Sequence, residues 1–468
     1  MSDESEWGAS RRRFLALAGG AALAGCTSPG APSQGEPNGS DGSSNESTTS
    51  PSSGGEELLG YDVGIGHDET AWDGYDTEWS PPTDAPPTDL TTERLVENLE
   101  IPWDLSFGTD GTLFITERVG RVLAFEDGEV RTLAEPDAAI DAGSVEAGAD
   151  ESSWYVQGGE GGTLGVAAHP AYPDPPIVYV YYTYQTEDGR FNRVAYVDAS
   201  ADDPAEATGT LIDEIPADSY HNGGRLEFGP ANYLWVTCGD SLEGSLAQDT
   251  SSPAGSILRV TPAGDPAPGN PDLGEDADPR VFTYGHRNPQ GVVWLPDGTP
   301  IATEHGPTGR DELNRLVAGG NYGWPDVRKR DEYLDADDVR KPLVNTGTDD
   351  SWAPSGAVFY TGDAVPGLRN RLLVGGLISQ RLNVATVTPG DAEAPPVEDG
   401  VRYDQEWTDP DYVTTAHHRL ADELGRIRHV EQGPDGALYA VTSNRDGRAS
   451  GEFPTESDDV LVRISSAE

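Results

Sequence analysis

A fixed internal period constrains this chain more than any other feature. An apolar stretch, a Gly-containing turn and a β-rich run recur at residues 107–116, 168–182, 228–237, 294–303 and 432–441. The first four begin at 107, 168, 228 and 294, with spacings of 61, 60 and 66 residues. The last gap, 138 residues, is twice 69, and a weaker copy at 357–377 fills it. Four short strands with their turns fit such a unit, and helical periodicity is nearly absent. β units repeating at a fixed interval hide their sheet edges by closing into a ring. The period therefore predicts an all-β chain, a six-bladed β-propeller, with its polar site on loops around the central channel.

The repeats occupy residues 91–468, and what precedes them reads differently. Ser10-Arg11-Arg12-Arg13-Phe14-Leu15 is a twin-arginine pattern running into an apolar stretch, 15–23, that is too short to span a bilayer. Leu23-Ala24-Gly25-Cys26 has the form of a lipobox, so 1–26 is expected to be an export signal with Cys26 as a lipid anchor at the cell surface. An ordinary secretory signal with an incidental Cys is the alternative. Residues 27–90, rich in Ser, Gly, Pro and acids with few apolar residues outside Leu58–Ile65, are expected to form a solvated, disordered tether, with a docked contact near Trp72 and Trp79 as its one candidate attachment. Lipidation of Cys26 would leave Cys238 alone, with no disulfide possible. Cys238 ends the apolar run 234–238 and reads as a buried core residue.

With 30 Lys+Arg against 82 Asp+Glu, the net charge is −52, and only Lys329 and Lys341 are lysines. A phosphate backbone would be repelled, which excludes nucleic acid as a partner. An acid-coated, Lys-poor surface suits a halophilic protein, because molar salt screens self-repulsion; the rival reading is a calcium-loaded surface.

Four polar clusters flank the repeats. Gly159-Glu160-Gly161-Gly162 precedes the second, and His221-Asn222-Gly223-Gly224-Arg225 precedes the third, whose strand closes at Gly239-Asp240. Gly285-His286-Arg287-Asn288-Pro289-Gln290-Gly291 leads into the fourth. Glu304-His305-Gly306-Pro307 and Arg310-Asp311-Glu312 follow it, ahead of Gly319-Gly320-Asn321-Tyr322-Gly323-Trp324-Pro325. Arg426 and Arg428, two apart on a strand, share one face and could grip carboxylates together.

At these clusters the chain resembles the glucose/sorbosone dehydrogenase family, soluble quinoproteins that oxidise aldoses with pyrroloquinoline quinone (PQQ) and Ca²⁺. The resemblance covers residues 97–465 and implies a six-bladed propeller. It also implies that His221 is the base for the sugar C1 hydroxyl, that Asp240 orients it, and that Arg287 and Asn288 contact the quinone. Glu160 would line the site near the sugar, Arg426 and Arg428 would hold the cofactor's carboxylates, and the carbonyls of Gly306 and Pro307 would ligate Ca²⁺. Asp311 and Glu312 are either ligands of a second Ca²⁺ or a solvated acidic pair. Electrons would pass to a membrane or soluble acceptor. One position departs from the pattern: Gly375-Gly376-Leu377-Ile378-Ser379-Gln380-Arg381 carries Ile378 where relatives place a cofactor-binding lysine. Arg381 is the candidate to replace that charge. A non-enzymatic ligand-binding propeller and a Ca²⁺-dependent lactonase remain as alternatives.

Overall fold

The computed structural model describes residues 56–143 and 159–467; the twin-arginine signal, Cys26 and the tether as far as residue 55 lie outside the described residues. Six antiparallel sheets follow one another along the chain. Blades 1 to 5 occupy residues 102–134, 163–216, 226–284, 289–345 and 354–419; blade 6 uses 427–466 and takes Leu90–Val96 as its outermost strand. Each blade has four strands except blade 5, which has five. In blade 6 the last strand, Leu461–Ser466, pairs with Leu90–Val96, Leu461 facing Val96 and Ser466 facing Leu90, and so closes the ring.

The innermost strands are Pro102–Phe107, Thr163–Ala168, Leu226–Phe228, Pro289–Trp294, Pro354–Tyr360 and Ile427–Gln432. Five of the sequence repeats start where these strands end, so the period marks the first turn of the blade; the weak copy at 357–377 starts inside its strand, which runs on to Tyr360. Blades stack face to face, so both faces of a strand are covered and the apolar run is continuous rather than alternating. In Ile177–Gln185, eight consecutive residues are buried. The apolar core is correspondingly divided among the six blade interfaces. Tyr179 and Val194 meet Leu226 and Val236 between blades 2 and 3, and Leu105 and Leu113 meet Val441 and Leu461 between blades 6 and 1. Cys238 belongs to the first of these clusters, and burial pushes its thiol up to about 12.

The axis is polar. Asp104 of blade 1 pairs with Arg225 of blade 3 and, at 2.6 Å, with His429 of blade 6. Arg225 also donates to the Gln290 carbonyl at 2.9 Å and lies 4.3 Å over the Trp103 ring. Asp104, Arg225 and His429 are essentially inaccessible to solvent and plug the channel part-way along.

The expected tether does not extend through residues 56–90. Leu58 and Val63 are buried in the core beside blades 2 and 3. Trp79 meets Phe359 edge to face, and the Pro86 and Pro87 carbonyls accept bonds from buried Arg419 at 2.6 Å each. This stretch is low in hydrophobicity, but Leu58, Val63 and Trp79 and the carbonyls of Pro86 and Pro87 find partners on the blades.

Candidate active site

Loops entering the innermost strands and loops leaving the second strands open on the same face, because the two strands run antiparallel. They enclose a cavity of ≈ 640 Å³. Of the expected residues, Glu160, His221, Arg287, Asn288, Gly306, Asp311, Arg426 and Arg428 line it, and so does Ile378.

His221 is held from three directions. Its backbone has φ +60°, a left-handed conformation uncommon outside glycine, and its N–H donates to Glu160 Oε2 at 3.0 Å. Its ring Nδ1 lies 2.7 Å from Asp240 Oδ1. A carboxylate can only accept, so Nδ1 carries a proton, and in the neutral ring it is Nε2 that keeps its lone pair. Asp240 is fixed in turn by Trp324 Nε1 at 2.7 Å and the Leu242 N–H at 2.9 Å. The turn between the two requires Gly239, where a Cβ would stand 2.0 Å from the His221 carbonyl oxygen.

Around this pair the cavity is cationic, in contrast to the whole chain. Arg118, Arg287, Arg426, Arg428 and Arg448 all line it. Asp446 ties down Arg426, accepting from its Nη2 at 2.7 Å, and Glu160 takes Arg448 at 2.7 Å. Burial alone would raise Glu160, but Arg448 overrides it and holds the carboxyl well below the ordinary range. Burial lowers Arg118 to about 10 and Arg428 well below its usual value. Burial, with Arg428 and Arg287 adding to it against the pull of Glu160, brings His305 down to about 3, so that ring is neutral. Guanidinium groups stay charged at neutral pH; their lowered values therefore record a desolvation cost that an anion would relieve. Unpartnered buried atoms point the same way: Arg287 Nε, Arg428 Nε and Asn288 Nδ2 have no acceptor, and His305 Nε2 has no partner. A donor-rich, acceptor-poor pocket fits a ligand with several carboxylate or carbonyl oxygens.

Of the others, Arg381, Glu312 and Pro307 do not line the cavity. Both Asp350 oxygens take the Arg381 guanidinium, at 2.9 and 2.7 Å, and Asn383 takes its Nε. Asp311 and Glu312 are buried and not a solvated pair. Asp311 accepts from the N–H groups of Gly306, Trp352 and Ala353 and from the Ser351 hydroxyl. Glu312 accepts from Tyr333 Oη at 2.6 Å, Asn345 at 2.7 Å and Asn314 at 3.2 Å. Pro307 adjoins the cavity behind Gly306, and its carbonyl accepts from Arg310 Nη1 at 3.2 Å. Among the described residues no group of three or more His, Cys, Asp or Glu side chains is arranged to hold a metal.

Sequence reasoning missed Trp103, Arg118, His305 as a lining group, and Arg448 with its anchor Asp446. The repeat itself carries the signal for two of them, Arg118 and His305. The residues directly after the second strands of blades 1, 3, 4 and 5 are Arg118, the Cys238–Asp240 turn, His305, and Leu377 with Ile378, and every one of these turns reaches the site.

Fold and site together define a six-bladed propeller with a one-faced, anion-accepting axial pocket and a His–carboxylate pair at its wall. The chain belongs to the glucose/sorbosone dehydrogenase family, whose sequence model matches residues 99–451. It is 29% identical to the aldose sugar dehydrogenase of Escherichia coli, over 78% of this chain and 92% of that protein. The structure of the PQQ-bound aldose sugar dehydrogenase of Streptomyces coelicolor superposes with a TM-score of 0.63 at 29% identity, covering 82% of this chain and all of that one. Quinoprotein glucose dehydrogenase B of Acinetobacter calcoaceticus is 29% identical over about half of each chain.

Proposed function

We propose that this protein oxidises an aldose at C1 to the lactone, with PQQ as oxidant and Ca²⁺ as its partner. The observation that carries the reading is the convergence, in one cavity, of the His221–Asp240 pair with a set of buried guanidinium and amide donors that lack acceptors. Arg426 and Arg428 would hold the cofactor's carboxylates, Arg287 and Asn288 its quinone oxygens, and the Gly306 and Pro307 carbonyls the hard cation. When bound, the quinone and its Ca²⁺ supply the electrophile that takes the hydride from C1. His221 Nε2 takes the C1 hydroxyl proton, and Asp240 stabilises the imidazolium so formed while keeping the ring in one tautomer. His305, which burial brings down to about 3, and Glu160, held low by Arg448, are weak bases that do not compete with it.

The twin-arginine and lipobox patterns support export and anchoring at the cell surface through Cys26, and the acid-rich surface supports work in high salt. A test is to add PQQ and Ca²⁺ to the protein in molar salt and follow dye reduction with several aldoses. Saturable reduction is expected; no quinone binding and no reduction with any sugar would overturn the reading.

A further inference from the structure

We propose that Arg448 supplies the cation that the lysine absent at position 378 would have supplied, and so anchors an anionic group of the quinone; this rests on the function proposed above. Ile378 reaches the cavity with 62% of its surface exposed, an unusual place for a large aliphatic side chain. The loop that brings Arg448 is built against the loop that lost the lysine. The Ser450 N–H and hydroxyl both donate to Gln380 Oε1 at 2.9 Å, two residues beyond Ile378. The same loop hangs from the existing clamp, because Asp446, which holds Arg426, also accepts the Arg448 N–H at 3.0 Å. Residues 447–451 all line the cavity.

Arg448 is positioned and kept charged. One edge of the guanidinium donates to Glu160 Oε1 at 2.7 Å, and its carbon lies 5.3 Å over the Tyr220 ring. Burial disfavours the charge, but Glu160 and Asp446 more than offset that and raise its pKa. Arg381 is committed to Asp350 outside the cavity and cannot serve. A guanidinium steadied on one side by a carboxylate can still offer its remaining N–H groups to an oxygen anion.

The test is titration of the full protein with PQQ and Ca²⁺ in high salt, read by quenching of tryptophan fluorescence. Arg448→Ala should weaken binding about 10–150-fold, whereas Arg448→Lys, which keeps the charge, should stay within about fivefold. Adding Ile378→Lys to Arg448→Ala should recover most of the lost affinity, because it restores the cation from the other loop. If wild type binds and Arg448→Ala binds equally well, the proposal is wrong. If the loss is real but Ile378→Lys recovers none of it, Arg448 acts only by bracing Glu160, and the proposal is again wrong. A wild-type protein that binds no quinone overturns the cofactor reading and this proposal with it.

Discussion

Asp240→Asn tests the site most directly, because three donors converge on that carboxylate and an amide offers them only one oxygen. Asp240 Oδ1 takes His221 Nδ1 and the Leu242 N–H, and Oδ2 takes Trp324 Nε1. With the amide oxygen toward His221, the tautomer survives but the new NH₂ faces the Trp324 N–H. With the amide reversed, Trp324 is satisfied, the Leu242 N–H is not, and the NH₂ favours a His221 ring protonated on Nε2, which cannot act as a base. Losing the charge-assisted bond costs about 1.5–3 kcal/mol and the unmet donor about 1–3 kcal/mol. Together, about 2.5–6 kcal/mol corresponds to roughly 10²–10⁴ in rate. The assay measures kcat and KM by dye reduction, the quinone Kd by titration, and the pH profile. The expected result is a collapse of kcat with quinone affinity unchanged. A kcat within about threefold of wild type would refute Asp240 as the orienting group and, with it, the tautomer assigned to His221.

Three other perturbations have determinate outcomes. Burial and the neighbouring Glu304 raise the Glu312 carboxyl, so the folded state keeps a proton that the unfolded chain has lost. Stability therefore falls as pH rises from the ordinary carboxylate range to that elevated value. Glu312→Gln, which mimics the protonated group, should gain Tm relative to wild type at pH 9 but not at pH 4, whereas loss of a Ca²⁺-dependent stabilisation in the variant would restore a metal role. Starting the chain at Thr91 rather than Gly54 removes the carbonyl partners of buried Arg371 and Arg419; Tm should drop by roughly 4–12 °C, and an unchanged Tm would mean that residues 56–90 contribute nothing. His221→Ala should abolish turnover with quinone titration unaltered, and retained turnover would remove His221 as the base.

The ring was legible because each blade spends its turn chemistry at the same place: Asp110-Gly111, Asp297-Gly298 and Asp435-Gly436 all sit just past an innermost strand. His221 and Asp240 were legible because their motif neighbours, Gly223 and Gly239, are forced by close backbone approach. Arg448 was not, because nothing in the pattern Asn444-Arg445-Asp446-Gly447-Arg448 says that its loop folds back over Gln380. For Glu312 the solvated alternative fails for a related reason: in a chain so rich in acids, composition cannot distinguish a carboxylate on the surface from one buried among Tyr333, Asn314 and Asn345. The stretch 56–90 reads as a tether on average hydrophobicity, a measure blind to single anchors such as Leu58 and Val63, whereas its tryptophans did mark the contact made by Trp79.

The closing strand also sets the order in which this molecule can come into being. Thr91 bonds to Ser465 across 374 residues of chain, so the strand Leu90–Val96 must wait for the last strand of the chain before it has a partner. Until then blade 6 lacks its outer strand and blade 1 stacks on one side only, leaving open edges of the kind that recruit other chains. Such a ring cannot be locked domain by domain as it leaves the ribosome. Its final step is a single, very non-local pairing that completes blade 6 and its interface with blade 1, and a truncation of only six residues at the carboxyl end should leave the circle unsealed.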